Sequence, residues 1–157
     1  MFQRHGFWQS RDGITGKTFE IEVLGVCRNV GGEVQYLPYH KAMKVAMSNQ
    51  PWDDPTDPEP RFPRDLHFLV CEELGIDCSE LRYYTAVGTA FDFFHGIDAF
   101  FTYKRGDKVY WVTLDLSLRQ KFEYKADILV GFMEKIDDLK ACAREIAQAF
   151  QQKIATI

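Results

Sequence analysis

Periodicity divides this chain into a strand-rich middle and helical segments on either side. Residues 99–103 and 109–114 are short aromatic and β-branched runs separated by Lys104-Arg105-Gly106-Asp107, which predicts a β-hairpin. Residues 126–130 predict a short buried strand. From 132 to 154 the apolar stripe Phe132, Ile136, Leu139, Ala143, Ile146/Ala147, Phe150 and Ile154 advances in steps of three and four, so a long helix docks there on one face of a sheet. Residues 64–75 follow Pro63 and end at Gly75, and Leu66, Leu69, Val70 and Leu74 give them a helical stripe. Nearer the start, 18–28 alternates as a strand, Asn29-Val30-Gly31-Gly32 turns, and 33–37 returns as a second strand. A short helix at 40–48 follows Pro38. Residues 51–60 hold four prolines and four acids, which excludes a helix or central strand and predicts an exposed loop anchored through Trp52. The elements together predict one α/β domain of mixed α+β type over 1–157, a central mixed sheet flanked by helices.

Two acids bracket the central hairpin, Asp98 opening its first strand and Asp115 closing its second. With Arg105-Gly106 as a two-residue loop, Asp98 lies opposite Thr113, two residues from Asp115. The aspartates then emerge on one face as diagonal neighbours, their backbones roughly 7–8 Å apart. Carboxylates at that separation can close on one divalent ion, whereas a one-residue bulge would turn them to opposite faces. Many of the residues around them are apolar (Phe91, Phe93, Phe94, Phe100, Phe101, Tyr110, Trp111, Leu114), and a carboxylate buried there needs a proton, a partner or a metal. Turn capping and simple solvation are the competing roles for such acids.

Gly96-Ile97-Asp98, sixteen intervening residues, then Val112-Thr113-Leu114-Asp115 resemble the acidic motif of the PD-(D/E)XK, or restriction-endonuclease-like, nuclease superfamily. The resemblance covers residues 64–130, between the N-terminal hairpin and acidic loop (1–63) and the C-terminal helix. It implies a Mg²⁺- or Mn²⁺-dependent nuclease hydrolysing phosphodiester bonds in DNA or RNA, with Asp98 and Asp115 as metal ligands. The family's third acid comes from the preceding helix, where Glu73 falls within the apolar stripe. Its lysine stands two residues after the second acid, a place held here by Ser117, so Lys121 and Lys125 become the candidate amines. His95, three residues before Asp98, is a candidate phosphate contact or proton carrier. In the family a helix usually precedes the last core strand, whereas here the 126–130 strand comes before the long helix. Loss of the lysine would leave a nuclease-like binding domain without activity. A protein-interaction domain using its aromatic sheet and C-terminal helix, with no metal, is the further alternative.

Charge modifies this picture modestly. Nineteen basic and twenty-three acidic residues give a net charge of −4, which does not suggest generic polyanion binding. Residues 51–80 carry −7 and residues 98–125 carry +2, so the hairpin region is the part fitted to meet a nucleic acid backbone. No apolar run approaches the roughly 20 residues needed to span a bilayer, and the first residues lack a secretory apolar core. A cytoplasmic location without membrane association is expected. Cys27, Cys71, Cys78 and Cys142 form no Cys-x-x-Cys pair, which disfavours zinc and predicts reduced, packed thiols. Calcium is disfavoured for the acidic loop, which lacks the glycine and terminal glutamate of an EF-hand. No His-Glu-x-x-His, Gly-x-x-x-x-Gly-Lys or Gly-x-Ser-x-Gly motif is present. The C-terminal helical stripe could serve a homodimer, although core packing is its expected use.

Overall fold

The computed structural model describes residues 23–117, 123–131, 133 and 135–156. Among them, β1 (Leu81–Thr85), β2 (Ala99–Arg105), β3 (Lys108–Leu116) and β4 (Ile128–Val130) form a mixed sheet in the order β1-β2-β3-β4. The first three strands run antiparallel, and β4 is parallel to β3. Helices α1 (Tyr39–Met47), α2 (Arg61–Leu74), α3 (Ala90–His95) and α4 (Ile136–Ala155) flank the sheet, as the expected α+β architecture requires. No helix among the described residues is long and apolar enough to cross a membrane.

The sheet is covered on both sides. Tyr83, Phe101, Val112 and Leu114 face α2 and α4, where they join Leu66, Val70, Leu139, Ile146 and Phe150. Tyr84, Phe100 and Ile97 face α1 and α3, packing with Ala42, Ala46 and Phe91. The α4 stripe is buried at Leu139, Ala143, Ile146, Ala147 and Phe150, as its spacing predicts. Gly75, in the left-handed conformation at φ +67°, ends α2 at the predicted position.

Several elements depart from the sequence reading. Arg105 pairs with Lys108, so the hairpin loop is Gly106-Asp107, and Phe100, not Asp98, lies opposite Thr113. Gly106 takes φ +63° at the first loop position, where a two-residue hairpin turn favours glycine. β1 and α3 go unanticipated. Leu81-Arg82-Tyr83-Tyr84-Thr85 is buried at four of five positions, so it lacks the alternation that betrays a half-exposed strand. Residues 33–37 form no strand: Asn29, Gly31 and Gly32 all have positive φ. Just before them, the Cys27 and Arg28 amides donate to Val87 and Asn49 carbonyls, which draws this segment away from any hairpin. Residues 18–22 of the first expected strand, and 132 and 134 of the long helix, lie outside the described residues.

The acidic loop shields the free edge of β1. Trp52 is buried and stacks on Tyr83, and the Tyr83 amide donates to the Pro55 carbonyl at 2.8 Å. One step along, the Gln50 side-chain amide exchanges two hydrogen bonds with the Thr85 backbone. These contacts satisfy edge groups that would otherwise invite pairing with another chain.

Candidate metal centre

Asp115 lies within β3 beside Leu129 of β4. Its neighbours Leu114 and Leu116 both enter the α2/α4 core, so strand alternation turns Asp115 toward the α1/α3 face. Asp98 immediately precedes β2. Its amide donates to the Leu114 carbonyl at 2.9 Å, although Ala99 is the partner of Leu114 in the ladder, so the chain meets β3 out of step there. The Asp98 carboxylate accepts from the Leu116 amide at 2.7 Å. That amide belongs to the peptide bond joining Asp115 to Leu116, which sets the first carboxylate against the backbone of the second aspartate. Asp98 is 3% exposed and Asp115 6%. A charge-assisted hydrogen bond to backbone offsets part of the cost of burying a carboxylate. Its field also reaches the core: burial first, and then the Asp98 charge, hold the Tyr83 hydroxyl well above its ordinary pKa.

The approach to Asp98 is built by α3. Gly96 caps that helix at φ +70°, and the Gly96 and Ile97 amides return to the Asp92 and Phe91 carbonyls. A β-carbon placed on Gly96 would lie 4.0 Å from Cβ of Lys125, so Lys125 passes close to this turn, two residues before Asp98. Its side chain is exposed. Lys121 lies outside the described residues. Ser117 leaves β3 with its amide bonded to the Val130 carbonyl.

The other expected members are placed elsewhere. Glu73 is exposed on α2, on the opposite side of the sheet from Asp115, so it does not join the pair. The buried arc of α2 includes His67 and Cys71, which rotates it away from Glu73 and lets that long side chain end in solvent. His95 reaches the neighbourhood but is engaged: Nε2 lies 2.8 Å from the Leu37 carbonyl, and the ring packs against Tyr36, Tyr39 and Phe91. Asp92, a further acid on α3, accepts from the Gly88 amide. Lys104, Arg105 and Lys108 are exposed at the hairpin tip, about 20 Å from Asp98 along β2 at the usual rise per strand residue. Of the four described bases in 98–125, three therefore lie at the far end of the hairpin and only Lys125 lies near the acids.

One cluster escaped the sequence reading. His67, Cys71 and Cys78 place a ring nitrogen and two sulfurs within 4.8 Å of one another. Their signal was the four-residue step from His67 to Cys71 on a predicted helix, with Cys78 just past its glycine stop; a search for Cys-x-x-Cys passes over it. No family model, curated protein or solved structure matches the chain.

Proposed function

We propose that the Asp98–Asp115 end of the sheet is a divalent-cation site and that the domain is a Mg²⁺-dependent nuclease acting on phosphodiester bonds. The observation that carries this reading is the burial of two carboxylates at adjoining strand ends, with the Asp98 carboxylate fixed by the Leu116 amide. Carboxylate oxygens suit a hard cation such as Mg²⁺ or Mn²⁺, which completes its shell with waters and substrate oxygens. When bound, the ion polarises a phosphoryl oxygen and acidifies a water. Asp98 and Asp115 would hold it, and the Leu116 amide limits the orientations open to Asp98. Lys125, exposed beside the Gly96 turn, supplies a positive charge for a phosphate arriving at the rim. His95 acts as a positioning residue, tying the end of α3 to the Leu37 carbonyl. Four free cysteines fit a reducing compartment, and the cytoplasm is the location that goes with this function.

The test is cleavage of plasmid DNA and single-stranded RNA in Mg²⁺ or Mn²⁺. Wild-type protein cleaves one of them, and Asp98→Asn or Asp115→Asn lowers the rate by at least roughly 100-fold, the scale of losing one preorganised electrostatic contact. Lys125→Ala lowers it by a smaller factor. Absence of cleavage by the folded wild type would overturn the catalytic part. Cation binding without cleavage is the outcome of the second reading, a nuclease-like binding domain, which Ser117 in the usual lysine place favours.

A further inference from the structure

His67 and Cys71 lie one helical turn apart on α2 and are 3% and 2% exposed. Beyond them, the Gly75 turn folds the chain back, and the Ile76 amide donates to the Cys71 carbonyl. Cys78 then opens the short 3₁₀ turn Cys78–Glu80 and returns, half-buried, beside Cys71. His67 Nε2 lies 2.6 Å from the Leu81 carbonyl oxygen. A carbonyl only accepts, so Nε2 carries the proton and donates. Nδ1 is left with its lone pair, 4.0 Å from Cys71 Sγ. Metal-ligating histidines are commonly anchored in this way through their other nitrogen.

The surroundings favour a cation. Asp54 and Asp57 of the acidic loop act electrostatically on His67, and Asp77 acts on Cys71.

We propose that His67 Nδ1, Cys71 Sγ and Cys78 Sγ form a site for a soft, tetrahedrally coordinated cation, with Zn²⁺ as the biological occupant. Metal–sulfur and metal–nitrogen bonds of about 2.3 and 2.0–2.1 Å require donors about 3.5–3.8 Å apart, so modest tightening of the cluster completes the shell. On binding, both thiols release their protons to solvent, and the two thiolates neutralise the dication. Three protein ligands leave the fourth position of the shell to a water. Bound there, the ion fastens the 75–80 turn onto α2 and so fixes the entry into β1. The site shares no residue with the Asp98–Asp115 pair, and the two assignments stand or fall separately.

The experiment is anaerobic titration of the reduced full-length protein with Co²⁺, followed by Zn²⁺. One equivalent of Co²⁺ produces a sulfur-to-cobalt charge-transfer band and the strong visible absorption of a tetrahedral site, and one equivalent of Zn²⁺ bleaches both. Cys78→Ser, a change at a half-buried position, keeps the circular dichroism of the fold. It weakens Zn²⁺ binding by more than the roughly 10–100-fold lost with an outer-sphere partner. His67→Gln does the same, and Cys142→Ser, on α4, leaves the titration unchanged. A folded wild type that shows no sulfur-to-cobalt band, or a band unaltered in Cys78→Ser, would overturn the site.

Discussion

The Leu116 amide decides how Asp98 can be replaced. Asp98→Ala removes the acceptor of a buried N–H and is expected to destabilise the fold by about 1–3 kcal/mol, whereas Asp98→Asn keeps an acceptor oxygen and costs less. Urea unfolding of the two variants checks that order, and equal losses would show that the hydrogen bond is unimportant. The cysteines differ as sharply. Burial pushes the Cys27 and Cys142 thiols up to about 12, and it raises Cys71 as well, while Cys78 is half-buried. In the metal-free protein a disulfide reagent at pH 8 should therefore modify Cys78 fast and the other three only on unfolding, because burial keeps those three thiols protonated and out of reach. Peptide mapping after brief labelling identifies the reacting thiol; rapid modification of Cys27 or Cys142 contradicts the packing described.

Side chains attach β4 as much as its ladder does. Asp127 accepts from the Thr113 amide and hydroxyl group, returns its own amide to Thr113 Oγ1, and receives Lys153 Nζ at 2.8 Å from α4. Asp127→Ala strips several of these contacts and should cost about 1–3 kcal/mol. Lys153→Met should cost about 0–1 kcal/mol, since both partners in the ion pair are about one-third exposed. Thermal unfolding distinguishes them. The same contacts explain why the expected 126–130 strand begins only at Ile128: the Thr113 amide meets the Asp127 side chain there in place of ladder pairing. Elements with a helical stripe or a bracketing turn were legible. The α4 stripe announced itself in three- and four-residue steps, and the central hairpin in its bracketed aromatic runs. β1, covered on both faces, carried no alternation to read. The register error arose because Arg105-Gly106 and Gly106-Asp107 are both plausible two-residue loops on local sequence alone. Shifting between them moves the pairing by two residues, which preserves parity within the ladder but changes every partner.

Across the whole molecule, the sheet is a partition. Asp115 is turned toward the α1/α3 layer, while Glu73, His67 and Cys71 belong to α2 on the other side. Stripe arithmetic puts Glu73 on the buried face of its helix, but His67 and Cys71 pack there instead and leave Glu73 in solvent, on the side of the sheet away from Asp115. The burial of Asp98 and Asp115 was legible because both sit at strand ends in an apolar stretch. Strand length carries the basic tip about 20 Å from the acids although the two are close in sequence. Reversing the charge of Lys104, Arg105 and Lys108 should accordingly leave cation affinity at the pair unchanged at physiological salt, since about 20 Å exceeds the ~8 Å screening length. Calorimetry on that triple variant checks it, and a large loss of affinity would place the tip closer to the acids than the strand geometry allows. The most direct measurement is calorimetric titration of the wild type with Mn²⁺ and Mg²⁺, beside Asp98→Asn and Asp115→Asn. One bound ion, lost in both variants while their circular dichroism is kept, is the predicted result. Binding that survives both substitutions, or no binding by the folded wild type at millimolar metal, would contradict a cation site at the sheet end.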